Sequence, residues 1–313
     1  MSAVWEIGSS TADPDVRTAE PGTLGGMQGT RRFEGPSDLH LHSTHSDGTE
    51  SPAQVMQSVH RHGLRTAALT DHDTTSGWAE AAEAAGSLGM TLLPGMELSA
   101  RHEWRSVHVL AYLFDPDHPE LRAMTDRIRS SRLDRARIMA DRIARDYELH
   151  WDDIVAQTID GATVGRPHIA DALIARGLVR DRAEAFSSIL NPQGDYYVAL
   201  FAPDPVTAVR IVTDAGGVAV IAHPAGRAGL LPHRILDGML EAGLAGFELG
   251  HRENLAGGIR TLRRIVAERD LIVTGSSDYH GLGKPNLPGE NTTTDDMVAR
   301  IIQRATGSAP VYP

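Results

Sequence analysis

Residues 38–48 decide how the rest of the chain is interpreted, and they read Asp38-Leu39-His40-Leu41-His42-Ser43-Thr44-His45-Ser46-Asp47-Gly48. In an extended strand alternate side chains point the same way, so His40 and His42 project together from one face. Asp47 returns towards them after a short turn. Imidazole nitrogens and carboxylate oxygens suit divalent zinc, manganese or iron. The stretch therefore predicts a metal site at the end of a strand.

Composition limits the classes of protein that the chain can represent. Its 313 residues are enough for one large α/β barrel or for two ordinary domains. A net charge of -11 argues against a broad basic surface for long nucleic acid. There are 15 histidines and no cysteine, so a metal site must use His, Asp and Glu. No secretory signal or apolar span of transmembrane length is apparent, which predicts a cytoplasmic protein.

Strands and helices alternate along most of the chain. Residues 1–35 are rich in small and polar residues and are predicted to be a flexible N-terminal extension. From residue 36 onwards, short buried strands alternate with helices, a pattern typical of parallel βα units. Ser51 and Pro52 have the side chains expected at the N-cap and first position of a helix. The predicted strands after the first are residues 66–70, 91–98, 107–112, 218–222, 246–249 and 271–275.

The alternation is interrupted once. Apolar residues recur at helical spacing among many Arg and Asp residues from about residue 118 onwards. We interpret residues 118–200 as a helical insertion and residues 36–117 and 201–313 as the two parts of a barrel. In closed parallel barrels the chemistry lies at the carboxyl ends of the strands. The residues predicted there include His42, His72, Glu97 and His108.

The positions of the candidate ligands argue for one metal centre. An isolated histidine at a strand end is commonly a structural or surface residue. Here all the candidates lie at or just beyond predicted strand ends, whereas a chance arrangement would place some on helix faces. The predicted ligands are His40, His42, Asp47, His72, Glu97, His108, His223, Asp278 and His280.

Five motifs, in this order, resemble those of the PHP (polymerase and histidinol phosphatase) superfamily. They occupy residues 38–48, 70–73, 95–99, 222–224 and 277–281. The resemblance implies an α/β fold, namely a distorted (β/α)7 barrel, that holds two or three divalent ions of Mn, Zn or Fe. The implied first site comprises His40, His42, Glu97 and Asp278. Glu97 would bridge to a second site with His108 and His223, and the third subsite would comprise Asp47, His72 and His280.

Asp47 departs from the pattern of many relatives, which have histidine at this position. An oxygen ligand in place of a nitrogen ligand weakens the preference of a site for zinc. The identity of this one residue therefore bears on which metal the third subsite takes.

The insertion resembles that of the nucleotide-acting branch of the superfamily at Gly165-Arg166-Pro167-His168. This resemblance implies that Arg166 and His168 reach the substrate phosphate, and Arg offers phosphate a planar fork of donors. The alternative interpretation is that Arg166 and Pro167 begin a surface helix. His251 follows a strand where relatives often place a substrate-facing group. Lys284 is interpreted as a solvated loop lysine, with an approach to phosphate as the alternative.

The resemblance implies a metal-dependent phosphoesterase that acts on a small nucleotide. The expected reaction removes the 3′-phosphate of nucleoside 3′,5′-bisphosphates by metal-activated hydroxide. The alternatives are a 5′-3′ exoribonuclease on short RNA and a non-catalytic metal-binding PHP module. The expected partner is a small nucleotide or short oligoribonucleotide, without long duplex nucleic acid or a membrane. The expected catalytic residues are Asp47, Glu97, Arg166 and His168.

Overall fold

Seven strands within residues 35–313 form one sheet in which every strand pairs with its neighbours in chain order. The computed structural model describes residues 35–313, so the expected N-terminal extension lies, apart from its last residue, outside the described residues. Leu41 at the end of the first strand bridges to Tyr279 beyond the last strand, which nearly closes the sheet into a barrel. The predicted α/β fold with a (β/α)7 barrel is confirmed. The strands are Ser37–Leu41 (β1), Thr66–Leu69 (β2), Thr91–His102 (β3), Arg105–Tyr112 (β4), Val218–Ile221 (β5), Gly246–Gly250 (β6) and Ile272–Gly275 (β7).

Helices begin where the sequence supplies capping residues. Ser51 accepts a hydrogen bond from the backbone N–H of Gln54, whose side chain accepts one from the backbone N–H of Ser51, and Pro52 follows. No described helix combines the length and apolar character that a membrane crossing requires. The last helix was not predicted. The helices are Pro52–Arg61 (α1), Trp78–Ser87 (α2), Pro119–Ile143 (α3), Trp151–Val155 (α4), Arg166–Ala175 (α5), Arg182–Ser187 (α6), Pro205–Asp214 (α7), His233–Glu241 (α8), Ala256–Arg269 (α9) and Asp295–Arg304 (α10).

The interpretation of β4 as part of a parallel βα unit is wrong. β3 continues past its predicted end at Leu98, and a turn at Glu103 and Trp104 joins His102 directly to Arg105. A two-residue connection can join only antiparallel strands, because a parallel crossover needs a much longer segment. β4 is accordingly antiparallel to both β3 and β5.

This reversal changes how His108 reaches the site. It lies near the start of β4, opposite Ser99 in register, and not at the carboxyl end of a parallel strand as predicted. Since β4 runs against its neighbours, its beginning lies at the same end of the barrel as the carboxyl ends of the parallel strands. Glu97 also does not lie at the carboxyl end of its strand. It lies in the middle of β3, where its backbone pairs with that of His72.

The segment between β4 and β5 is helical and has an apolar cluster of its own. Met139 and Ile143 of α3 pack there with Ile169 and Leu173 of α5, and each of these side chains is fully buried. The barrel has separate clusters, one of which includes Leu39, Leu110 and Val220. The predicted boundaries of an insertion at residues 118 and 200 remain a prediction.

Candidate metal centre

β1 delivers the first pair of imidazoles. His40 and His42 have no exposed surface, and their Nε2 atoms lie 3.1 Å apart. The Glu97 Oε2 atom is 3.2 Å from Nε2 of His40 and 3.1 Å from that of His42. Asp278 Oδ1 approaches the same two nitrogens at 3.5 and 3.4 Å. Two strand-end histidines and two carboxylates thus converge from β1, β3 and the loop after β7.

The two oxygens of Glu97 face different neighbours. While Oε2 faces the β1 histidines, Oε1 lies 2.7 Å from His108 Nδ1 and 3.3 Å from His223 Nε2. His72 approaches from β2, with Nδ1 3.2 Å from Oε2. This carboxylate therefore directs one oxygen at each of two groups of candidate ligands.

Asp47 organises a third group of donors. Its Oδ1 lies 3.2 Å from His280 Nε2, and its Oδ2 lies 3.8 Å from His72 Nε2. One donor atom from each of these residues and from His42 lies within 4.8 Å of the others. The turn that returns Asp47 requires Gly48, because a Cβ there would lie 2.4 Å from the carbonyl oxygen of His42.

The buried donors are not satisfied by one another. His72 Nδ1, His108 Nδ1, His280 Nε2 and Asp278 Oδ1 make no hydrogen bond among the described residues. His108 Nδ1 is close to Glu97 Oε1, yet the pair lacks the orientation of a hydrogen bond, as is expected for atoms directed at a common ion. A nitrogen and oxygen donor set of this kind suits Zn, Mn or Fe. The residues therefore fit divalent metal ions, and the structure brings together all of the predicted ligands.

The cluster is electrostatically polarised. Burial disfavours the charged form of Glu97. The electrostatic attraction of His108 and His72 outweighs this effect and holds the pKa of the carboxyl well below its usual range. Burial also opposes protonation of His42, yet the nearby carboxylates of Asp278 and Glu97 raise the pKa of its imidazole to about 9. Protons therefore compete with metal ions for these nitrogens.

Sequence reasoning missed Glu248 as a part of the site. This fully buried carboxylate on β6 lies 3.0 Å from His40 Nδ1 and accepts a hydrogen bond from the backbone N–H of His223. Carboxylates behind ligating histidines fix the orientation of the ring and raise its basicity. Its only sequence signal is an acidic residue in a strand that is otherwise apolar.

The interpretation of Lys284 as a solvated loop residue is wrong. Its Nζ lies 2.6 Å from Asp278 Oδ2, and its side chain is 36% exposed. His251 is also close to this carboxylate, with Nε2 3.5 Å from Oδ2, and its side chain is fully buried. The structure therefore places both residues at the Asp278 side of the cluster.

Arg166 and His168 occupy the first turn of α5. The Arg166 guanidinium lies over the rings of Phe186 and Tyr197, with centroid distances of 5.1 and 5.6 Å. His168 is buried, and its Nδ1 accepts a hydrogen bond from the backbone N–H of Gly165. Burial lowers the pKa of His168 although the negative charge of Asp47 acts in the opposite direction.

A cavity of about 1100 Å³ opens beside the cluster. Asp47, His108 and His223 form part of its lining, and Pro167 and Phe186 contribute from α5 and α6. Its lining also carries cationic side chains. They are Arg105, Arg182, Arg227, Arg252 and Lys284.

Comparison with known proteins identifies the family. A model of the PHP domain matches residues 38–194. The chain belongs to the PHP domain family. The family predicted from the motifs is thereby confirmed.

Relatives match most of the chain. A 3′,5′-nucleoside bisphosphate phosphatase of Chromobacterium violaceum is 33% identical over 278 residues, which cover 85% of this chain and 95% of that protein. A 5′-3′ exoribonuclease of Haemophilus influenzae is 31% identical over 245 residues, which cover 78% of this chain and 89% of that protein. A crystal structure from Bifidobacterium adolescentis, described as a metal-dependent phosphoesterase, has a TM-score of 0.85 at 40% identity and covers 88% of this chain and 98% of that one. This PHP protein is therefore a metal-dependent phosphoesterase.

Proposed function

We propose that this PHP protein hydrolyses the 3′-phosphate of nucleoside 3′,5′-bisphosphates. The observation that carries the proposal is that the cluster of buried metal donors opens onto a cavity walled by α5 and α6 and by cationic side chains. Such a cavity provides counter-charges for a small substrate with more than one phosphate. The similarity to the bisphosphate phosphatase, over 95% of its length, supports the same substrate class.

The proposed ligand sets follow the three groups of donors. One ion would be held by His40, His42, Glu97 and Asp278, and a second by Glu97, His108 and His223. The third subsite would comprise Asp47, His72 and His280. When bound, divalent ions in these groups supply Lewis-acid polarisation of the phosphoryl oxygens and activation of the water nucleophile.

The protein's own side chains position the phosphate and hold protons. His168 is neutral near pH 7 because burial lowers its pKa. Since its Nδ1 accepts the Gly165 N–H, the proton of the neutral ring is on Nε2, which can donate to a phosphate or leaving-group oxygen. Lys284 and Arg182 line the cavity and supply positive charge beside the reacting group. A contact of His251 with phosphate remains a prediction, and its burial beside Asp278 supports an orienting role.

The size of the cavity favours a second candidate, exonucleolytic cleavage of short RNA from the 5′ end. At about 1100 Å³ it exceeds the roughly 300–1,000 Å³ of ordinary small-ligand pockets. Arg227 and Arg252 in its lining could pair with phosphates beyond the first nucleotide. The exoribonuclease relative supports this alternative.

Substrate comparison in the presence of Mn²⁺ tests the two candidates. We expect release of inorganic phosphate from adenosine 3′,5′-bisphosphate, with adenosine 5′-monophosphate as the other product. Release of mononucleotides from a 5′-phosphorylated RNA tetramer, at a higher kcat/KM than the bisphosphate, would favour the exoribonuclease. Inertness towards both substrates would overturn both candidates.

A further inference from the structure

A buried serine and a buried aspartate lie next to the metal centre without belonging to the candidate ligands. Ser46 has no exposed surface, and Asp71 is only 2% exposed. Ser46 directly precedes Asp47, and Asp71 directly precedes His72. Each is therefore a chain neighbour of a donor in the third group. We refer to these two residues as the Ser46–Asp71 pair.

The hydroxyl of Ser46 lies between the carboxylate of Asp71 and the ring of His42. Its Oγ is 2.6 Å from Asp71 Oδ1 and 3.3 Å from His42 Nδ1. A serine hydroxyl has one proton, and an ionised carboxylate can only accept, so Ser46 donates to Asp71. Asp47 Oδ1, the other acceptor beside the hydroxyl, is farther away at 3.4 Å. The lone pairs of Ser46 are therefore left to accept the N–H of His42 Nδ1.

This chain of hydrogen bonds determines which nitrogen of the neutral His42 ring has the proton. With the proton on Nδ1, Nε2 retains its lone pair. Nε2 lies 3.1 Å from Glu97 Oε2 and 3.4 Å from Asp278 Oδ1, so the lone pair is directed at the candidate ligands. A hydrogen-bond acceptor behind a ligating histidine fixes the tautomer and orientation of its ring and raises its basicity.

Asp71 also anchors the turn between His42 and Asp47. Its Oδ1 accepts the backbone N–H of Ser43 at 2.8 Å, and its Oδ2 accepts the Ser43 hydroxyl at 2.6 Å. Together with the hydroxyl of Ser46, the carboxylate accepts three hydrogen bonds from this turn. Hydrogen bonds to an ionised acceptor are stronger than those between neutral groups. The position of Asp47 therefore depends on Asp71.

We propose that Ser46 and Asp71 are positioning residues for the third group of metal donors. The pair orients the ring of His42 and holds the turn that returns Asp47, and both of these donors belong to that group. Under the ligand sets of the proposed function, on which this assignment rests, loss of the pair weakens ion binding although every ligand is still present.

Calorimetric titration of the Ser46→Ala variant with Mn²⁺ tests the positioning role. Loss of the partner that orients a ligating histidine should weaken Mn²⁺ binding about 10- to 100-fold. Ser76→Ala is the matched control, because the Ser76 hydroxyl lies 2.7 Å from Nδ1 of His45, which is not a candidate ligand. The control should retain the wild-type affinity. Unchanged affinity in Ser46→Ala, or an equal loss in the control, would overturn the proposal.

A double-variant cycle tests whether the two residues act as one unit. Asp71→Asn removes the negative charge with little change of shape and should also weaken Mn²⁺ binding. If Asp71 acts on His42 through Ser46, the loss in the double variant should be smaller than the product of the two single losses. A loss equal to that product would show that the residues act independently and would overturn the pair.

Proton NMR of the Zn²⁺-loaded protein, labelled with ¹⁵N at histidine, gives a readout that a purely structural role would not change. In the wild type the Nδ1 proton of His42 is hydrogen-bonded to a buried oxygen, so its resonance should lie downfield and exchange slowly with water. Ser46→Ala should move this resonance upfield and speed its exchange, whereas Ser76→Ala should leave both unchanged. An unchanged resonance in Ser46→Ala would show that Ser46 is not the acceptor and would overturn the proposal.

The titration and the NMR measurement need no substrate, so they separate this proposal from the proposed function. Weaker Mn²⁺ binding by Ser46→Ala, without hydrolysis of the bisphosphate by the wild type, would uphold the positioning role and overturn the proposed function. Unchanged Mn²⁺ binding by this variant would overturn the positioning role even if the wild type hydrolyses the bisphosphate.

Discussion

Glu97 lies among the candidate metal ligands, and Glu248 lies behind one of them, His40. Glu97 directs one oxygen at the β1 histidines and the other at His108 and His223, so its two oxygens serve different groups. Glu248 contacts none of the open cavity and instead holds the ring of His40 and the backbone of His223. Substitutions at the two carboxylates should therefore have different kinetic consequences.

Replacement of Glu97 with Gln should lower kcat on the order of 1000-fold while the protein stays folded. The amide cannot bridge two ions with two anionic oxygens, and loss of metal charge stabilisation is worth several kcal/mol. The measurements are steady-state hydrolysis, bound Mn²⁺ by elemental analysis, and circular dichroism. Glu83→Gln on the exposed face of α2 is the control. Retained activity in Glu97→Gln would refute its assignment as a bridge.

Replacement of Glu248 with Gln should weaken metal affinity about 10- to 100-fold, because the carboxylate behind His40 sets the basicity and orientation of that ring. Saturating Mn²⁺ should restore most of kcat, which a direct catalytic role would not allow. Activity titrated against free Mn²⁺ checks this, with the exposed Glu241→Gln as the matched variant. Unchanged Mn²⁺ affinity would contradict the orienting role.

Arg182 of helix α6 contacts both the helical segment and the barrel. Arg182 pairs with Asp171 of α5 at 2.6 and 2.7 Å and donates from Nη1 to the carbonyl oxygens of Asp47 and Gly283. A Cβ at position 283 would lie 2.3 Å from Nη1, so a side chain there would displace the guanidinium of Arg182. The guanidinium of Arg182 thereby connects the helical segment to the loop that carries Asp47, which also accepts a backbone hydrogen bond from Thr163 at the carbonyl oxygen of His45.

Replacement of Arg182 with Gln should raise KM about tenfold, with a smaller effect on kcat. The variant loses charge-assisted hydrogen bonds that position the cavity wall and the backbone of Asp47. Arg180→Gln removes an exposed arginine from the same segment and serves as the control. Indistinguishable KM values for the two variants would show that the Arg182 contacts do not shape the substrate site.

The molecule as a whole is acidic, but its cavity is not. A net charge of -11 coexists with five cationic side chains in the cavity lining, so net charge predicts little about the local site. The barrel supplies the metal donors from its strand ends, and the helices after β4 supply much of the opposite wall. Stability and metal binding are coupled because the donors are buried and incompletely hydrogen-bonded.

Removal of metal should abolish hydrolysis and make stability depend on pH. In the folded metal-free chain, the pKa of His42 is raised from 6.5 to about 9. The proton's stabilising contribution is fully present below pH 6.5 and is lost as the pH rises to about 9. Unfolding temperatures of chelator-treated protein should therefore fall across this interval. The unfolding temperature of the Mn²⁺-loaded protein should not fall in this way, since bound ions replace the protons. If the unfolding temperatures of the loaded and the chelator-treated protein depend on pH in the same way, the prediction is contradicted.

Local pattern was sufficient for the barrel and for the candidate ligands. Alternation along β1 places His40 and His42 on one face, and Ser51 with Pro52 marks the start of α1, because these features depend only on neighbouring residues. The order of the motifs predicted the family. Spacing could not predict the direction of β4, since the hairpin depends on how far β3 extends before it turns.

The amino-acid sequence by itself thus determined the fold class, the family and the set of candidate metal ligands. Only the tertiary structure decided which distant residues support them: Glu248 contacts His40 across 208 positions of the chain, and Lys284 pairs with Asp278 beyond a tight loop. The physical reason is that periodicity records neighbours along the backbone, whereas burial and charge pairing are set by segments that meet only when the barrel closes.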